Sequence, residues 1–246
     1  MQHTPGFTTG LISLLAATVL LSACTTISST TTLPAAPTVT TSASTAVVTS
    51  IHDTGTTSVQ GGSLQSELAT QPLAVLTQEE IDGLVWMREE EKLAHDVYTA
   101  LYDLWNLQIF SNIASSEQTH TDAVKQLLDR YGIEDPAEGQ PAGVFINPDI
   151  QRLYDDLVAQ GSVSLEAALT VGTTIEDMDI YDLRQLSTAT TDIAYVYANL
   201  EKGSRNHLRA FDGNLERRGL SYTPQFISQD EYETIVGSPA ERGRDA

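Results

Sequence analysis

The chain has 246 residues, with 33 acidic against 13 basic side chains and a formal net charge of −20. Such acidity excludes nucleic-acid binding through a basic face, and it is compatible with cation handling without requiring it. Cys24 is the only cysteine, so no disulfide framework and no cysteine-based zinc or iron–sulfur site can form, and any metal must be held by histidines and carboxylates.

Leu11 to Leu21 is an apolar run broken only by Ser and Thr, too short to span a bilayer comfortably. It leads into Leu21-Ser22-Ala23-Cys24, which resembles a bacterial lipobox, although Met1 to Gly10 carries no Lys or Arg. Residues 1–23 are thus expected to be a lipoprotein signal peptide, with Cys24 lipidated and the protein anchored at the bacterial cell envelope by lipid only. Residues 24–66 are dominated by Thr, Ser, Ala and Gly, with almost no charge and few large apolar groups. Burial there cannot offset the ordering entropy, so this segment is expected to be a disordered tether. Residues 67–246 then form one helical domain of roughly 180 residues.

Within that domain, Thr77-Gln-Glu-Glu80 is a capping box that opens a helix running to about Trp105. Its apolar face carries Trp86, Leu93, Ala94, Val97, Tyr98, Leu101 and Trp105. Of the triplet Glu89-Glu90-Glu91, helical phase turns Glu90 nearest the middle of that face, leaves Glu91 on its border and sends Glu89 to solvent. His95, four residues beyond Glu91, is expected either beside the site or as an ion-pair partner. A second helix, about residues 110–131, ends at Tyr131-Gly132 and carries Glu117-x-x-His120. On a helical wheel His120 falls about 60° from Glu117, and Ile113, Ala114, Val124, Leu127 and Tyr131 cluster around both. Both polar groups therefore face the apolar stripe.

After a Gly- and Pro-containing loop, Pro148 to Gln160 reads as a shorter helix closed by Gly161. Leu165 to Val171 reads as a separate short helix ended by Gly172. Thr174 is expected to cap a helix from Ile175 to about Ser187, on which Glu176 and Asp179 share a face with Leu183 and Leu186. Thr191 or Asp192 opens a long helix to Arg218, where His207 lies among Ile193, Val196, Leu200 and Phe211. Ser204 sits three residues before it. Ser228-Gln-Asp-Glu231 caps a last helix to about Val236. No segment shows sustained alternation, so the fold class is all-α with no sheet.

Each inward polar group has a bland alternative. His207 could be a hydrogen-bonded core histidine, and Glu176 with Asp179 could be a negatively charged first turn favoured by the helix dipole. Taken together, four long helices would each turn ionisable groups into one core, where unpaired charge costs several kcal/mol. A shared metal centre accounts for all of them. Four carboxylates and two imidazoles, from Glu91, Glu117, His120, Glu176, Asp179 and His207, balance two divalent ions, and this donor set suits iron or manganese.

Glu91-x-x-Ala94-His95-x-x-Tyr98, Glu117-x-x-His120 and Glu176-x-x-Asp179 resemble the ligand motifs of rubrerythrin-type ferritin-like proteins. From Thr77 to about Val236 the chain is more closely similar to the ferritin-like DUF2202 family. That match is carried by Met-Arg-Glu-Glu-Glu-Lys-Leu-Ala, Asn-Ile-Ala-Ser-Ser-Glu-Gln-Thr-His and Gly-Ser-Arg-Asn-His-Leu-Arg-Ala-Phe. The resemblance implies a ferritin-like four-helix bundle, with additional short helices between the second and third core helices and at the C-terminus. It also implies a di-iron centre reacting with peroxide or dioxygen, fed by an external electron donor, with His95, Tyr98 and Ser204 around the ligands. A homodimer is expected on fold analogy alone. Motif alignment selects Glu91 as the first-helix ligand, whereas helical phase selects Glu90. Ser204 stands where a second Glu-x-x-His would have its Glu, which leaves Asp179 to supply the fourth carboxylate.

Overall fold

In the computed structural model, residues 49–51 and 57–242 are described. The expected signal peptide and Cys24 lie outside them. The described residues form a predominantly helical domain built on four long helices. Of these, α2 (Gln78–Trp105), α3 (Gln108–Tyr131), α5 (Leu165–Gln185) and α6 (Thr191–Glu216) pack as a bundle, α2 along α3 and α5 along α6. Contacts of α3 with α6 and of α2 with α5 close it. The shorter α1 (Gly61–Leu68) lies on α3, α4 (Pro148–Gly161) on α2 and α5, and α7 (Gln229–Val236) on α6.

Local chemistry sets the helix ends. The Thr77 hydroxyl accepts the Glu80 N–H while the Glu80 carboxylate accepts the Thr77 N–H, a complete capping box. Asn106 (φ 49°) and Gly132 (φ 66°) end α2 and α3 in the left-handed conformation that Asn and Gly tolerate best. Ser164 and Ser228 cap α5 and α7 through their hydroxyls.

Three expectations need correction. Gly172 does not end a helix: α5 is continuous from Leu165 to Gln185. A Cβ at Gly172 would lie 2.4 Å from the Phe211 ring, so the glycine is there for close packing of α5 against α6. The no-sheet expectation misses one small element, in which β1 (Thr49–Ile51) and β2 (Thr57–Val59) pair antiparallel over three residues each, too short for alternation to register. Finally, the C-terminal part of the expected tether is folded. Val59 and Leu64 join the core, the Ser116 and Thr119 hydroxyls accept the Thr57 and Val59 N–H groups, and Asn206 donates to the Thr57 hydroxyl. A few apolar side chains suffice because they fall onto an existing groove instead of having to build a core of their own. Among the described residues no helix is long and apolar enough to cross a membrane.

The core is interrupted at one level. One apolar cluster includes Leu93, Val97, Leu101, Phe110, Ile113, Leu208 and Phe211; the other includes Leu84, Met87, Val124, Leu127, Leu183, Val196 and Leu200. At the level between the two, each long helix buries polar residues: Glu90 and Glu91 on α2, Glu117 and His120 on α3, Glu176 and Asp179 on α5, Ser204 and His207 on α6.

Candidate metal centre

Glu117 is central to this layer. Its Oε2 lies 2.7 Å from His120 Nδ1 and its Oε1 lies 2.8 Å from His207 Nδ1. The two imidazoles stack with centroids 5.4 Å apart. Glu91 Oε2 approaches His120 Nδ1 at 3.6 Å, and Glu176 Oε2 approaches His207 Nδ1 at 3.5 Å. The centre is therefore two matched halves sharing one carboxylate. One half holds Glu91 with His120, the other Glu176 with His207. One ligand atom from each of Glu117, His120 and His207 lies within 4.8 Å of the others.

The short approaches lack hydrogen-bond alignment. Among the described residues both ring nitrogens of His120 and of His207 are without a hydrogen-bond partner, as are Glu91 Oε1, Glu117 Oε1 and Asp179 Oδ1. Buried polar atoms are nearly always satisfied, so unpartnered atoms on Glu117, His120 and His207, whose ligand atoms lie within 4.8 Å of one another, fit a cation better than a protein-only network. Oxygen and imidazole donors suit first-row divalent metals.

Supporting contacts orient several of these side chains. The Tyr98 hydroxyl donates to Glu176 Oε1 at 2.6 Å, and the Ser204 hydroxyl donates to Asp179 Oδ2. Gly203 passes beside His120 so closely that a Cβ there would lie 2.4 Å from Cε1. On the outside of the layer, Asn206, next to His207, holds β2 through Thr57 and holds the backbone of Glu241 in the C-terminal segment.

The electrostatics follow from burying charge at close range. Burial opposes ionisation of Glu117, but the two imidazoles prevail and hold its carboxyl well below the usual range. Burial pushes Glu91 up to about 7 against the pull of His120, and raises Glu176 against the pull of His207. Burial also lifts Asp179 well above the ordinary carboxylate value, reinforced by Glu91, Glu90 and Glu176. His207 resists charging by burial, yet Glu117 and Glu176 raise it to about 9, and His120 is likewise raised by Glu117 and Glu91.

The six residues expected as ligands are all buried at this level, with Asp179 held by the Ser204 hydroxyl and lying in the field of Glu91. Glu90 is also buried but turns to Trp86, whose indole N–H donates to its Oε2 at 2.6 Å, and to Asp182. His95 is not brought to the centre: it is half-buried and pairs with Asp96, Nδ1 to Oδ1 2.9 Å. Glu89 is not at the surface. It is 2 % exposed and accepts the Ile146 and Asn147 N–H groups at the start of α4, a partner in a loop that wheel geometry cannot see. Asp182 was missed, although it continues the three-residue spacing of Glu176 and Asp179. Gly203 carries no sequence signal, because its role is the nearness of a ring on another helix.

A helical bundle with a buried carboxylate–histidine cluster able to hold metal is therefore the class of protein present. The chain belongs to the DUF2202 family: the model of that family, described as an uncharacterized protein domain, matches residues 80–239. It is 55 % identical over 180 residues to the uncharacterized protein MJ0754 of Methanocaldococcus jannaschii, covering 72 % of this chain and 96 % of the relative. The crystal structure of hypothetical protein MJ0754 from Methanococcus jannaschii matches with a TM-score of 0.69 at 54 % identity, over 70 % of this chain and 99 % of that one.

Proposed function

We propose that this domain is a ferritin-like protein whose Glu91, Glu117, His120, Glu176, Asp179 and His207 hold a di-metal centre, two iron ions in the first instance and manganese in the second. The reading rests on one observation: orphaned ligand atoms of Glu117, His120 and His207 converge between two halves of matching composition. Bound iron would supply redox chemistry toward peroxide or dioxygen, with electrons from an external donor.

The chain's own residues have distinct tasks. Glu117 presents one oxygen to each half and so serves both. Tyr98 fixes the Glu176 carboxylate by donating to Oε1, which leaves Oε2 toward His207. Ser204 does the same for Asp179, so the pair answers for the fourth-helix carboxylate that the related motif would carry. The apolar clusters on either side limit water at the centre and strengthen every charge interaction inside it. The protons held by the imidazoles must leave when a cation binds.

Anaerobic iron(II) titration of the purified chain with metal analysis, followed by an optical titration with peroxide, tests the reading. About two equivalents of iron and an oxidation rate above that of free iron are expected. Uptake below about half an equivalent sinks the metal centre. Stoichiometric uptake with no excess rate reduces the protein to one that stores or senses metal. Export through the Leu21–Cys24 signal belongs to the same proposal; mass spectrometry showing an unmodified Cys24 in the mature chain would remove it.

A further inference from the structure

Asp182 extends the spacing Glu176, Asp179 along α5 by one more turn. Each step of three residues climbs about 4.5 Å, so the three carboxyl groups form a ladder on one side of the helix. The lowest rung, Glu176, faces His207. The uppermost, Asp182, is half-buried and reaches solvent. Glu90 completes the ladder from α2. It is 1 % exposed, meets the Asp182 carboxyl directly and lies in the field of Asp179.

Two carboxylates in contact in a buried place repel unless a proton or a cation lies between them. The donor at this pair, the Trp86 indole N–H, goes to Glu90 Oε2 at 2.6 Å. Glu90 Oε1 and Asp179 Oδ1 have no hydrogen-bond partner among the described residues, and both side chains are more than nine-tenths buried. The imidazoles are sealed at 0 % exposure.

Building on the metal-centre reading, we propose that Asp182 and Glu90 form a transit site for divalent transition-metal ions. Through it a cation passes from solvent to the Glu91–Asp179 side of the centre. Glu90 is then a way-station and not a ligand of the resting centre, which accounts for a buried glutamate that turns from both histidines.

Stopped-flow mixing of cobalt(II) with the metal-free full-length chain tests this, cobalt serving as a redox-inert optical probe. Asp182→Asn and Glu90→Gln should bind as much cobalt at equilibrium as the wild type, but load about tenfold more slowly. Stripping by a chelator should slow by the same factor, because a transit barrier acts in both directions. Replacement of an exposed acid elsewhere, Asp156→Asn, should change neither rate. Wild-type loading and release rates in Asp182→Asn overturn the proposal. Faster release with less bound cobalt in Glu90→Gln also overturns it, since Glu90 would then be a ligand. Should Glu90→Gln fail to fold, the Asp182 variant decides alone. A wild-type chain that takes up no cobalt defeats the metal-centre reading and this one with it.

Discussion

Asp177 and Asp179 sit two residues apart on α5, both withdrawn from solvent, and their surroundings are opposite in kind. Asp177, on the side facing the C-terminal segment, is surrounded by donors: the Tyr222 hydroxyl at 2.8 Å and the backbone N–H groups of Gln225, Phe226 and Ile227 at 2.6, 3.1 and 2.9 Å. Asp179, facing the bundle interior, has the Ser204 hydroxyl on one oxygen and no partner on the other. The pattern extends to other buried acids. Asp135 is held bidentately by Arg88, and Asp192 by Arg130 and Tyr131, whereas Glu90, Glu91 and Glu117 keep orphan oxygens. Outer carboxylates are fastened by the protein and fasten it in turn. Inner ones carry oxygens that no donor among the described residues meets.

The largest expected effect lies on the fastened side. Asp177→Ala leaves three backbone N–H groups and a phenol without their acceptor, a loss of about 4 kcal/mol by the usual cost of orphaned buried donors. Denaturant melts should show that loss equally with and without added metal. Asp179→Ala should instead leave the metal-free chain near wild-type stability and abolish most of the stabilisation that metal confers. If the two variants behave alike in metal, the contrast between inner and outer carboxylates is wrong.

A second effect concerns the protons that occupy the centre. In the metal-free chain burial disfavours the charged His207, but Glu117 and Glu176 outweigh it and lift the group to about 9. A pKa raised on folding stabilises the fold fully below the unfolded imidazole value near ~6.5, and the contribution disappears as pH climbs through 9. The His207 contribution to the stability of chelator-treated protein should therefore fall by about 3 kcal/mol between about pH 6 and 9.5, at ~1.4 kcal/mol per pH unit. Metal affinity should rise over the same window as the competing protons leave. Thermal melts and cobalt titrations across that range check both. A flat metal-free profile would mean that the imidazoles are neutral throughout.

Much of this contrast can be seen in the sequence, and the part that cannot has a physical reason. Glu117, His120, Glu176, Asp179 and His207 are legible because helical periodicity converts position into direction, and each breaks an apolar stripe. The ends of α2, α3 and α7 are legible because Thr77, Gly132 and Ser228 act within one turn of themselves. What escapes is whatever depends on a distant partner. Glu89 looks like a solvent-facing acid until the loop at Ile146 closes on it. Gly172 looks like a stop until Phe211 fills the space above it. Phase alone also prefers Glu90 over Glu91, because a wheel places both inward without saying that Trp86 and Asp182 engage one and His120 the other. The strand and helix within residues 57–68 escape for a related cause: their few apolar groups are meaningful only against α3.

The smallest expected effect separates packing from function within α5 and α6. Gly172 and Gly203 both lie inside helices, and alanine at either would add about 1 kcal/mol of helix propensity. Each added Cβ meets a ring at 2.4 Å, Phe211 Cε1 from Gly172 and His120 Cε1 from Gly203, and such overpacking costs about 1–3 kcal/mol. Both variants should therefore lose about 1 kcal/mol net in denaturant melts, and on stability alone they should be hard to tell apart. Cobalt titration should distinguish them. Gly172→Ala presses on an aromatic ring in the apolar cluster and should leave affinity unchanged. Gly203→Ala presses on an imidazole that must keep its angle to Glu117 and Glu91, and should weaken affinity about tenfold, since displacing a ligand by a fraction of an ångström loosens a site. Equal affinities in the two variants would mean that His120 needs no fixed position, and with it the case for a preorganised centre would fail.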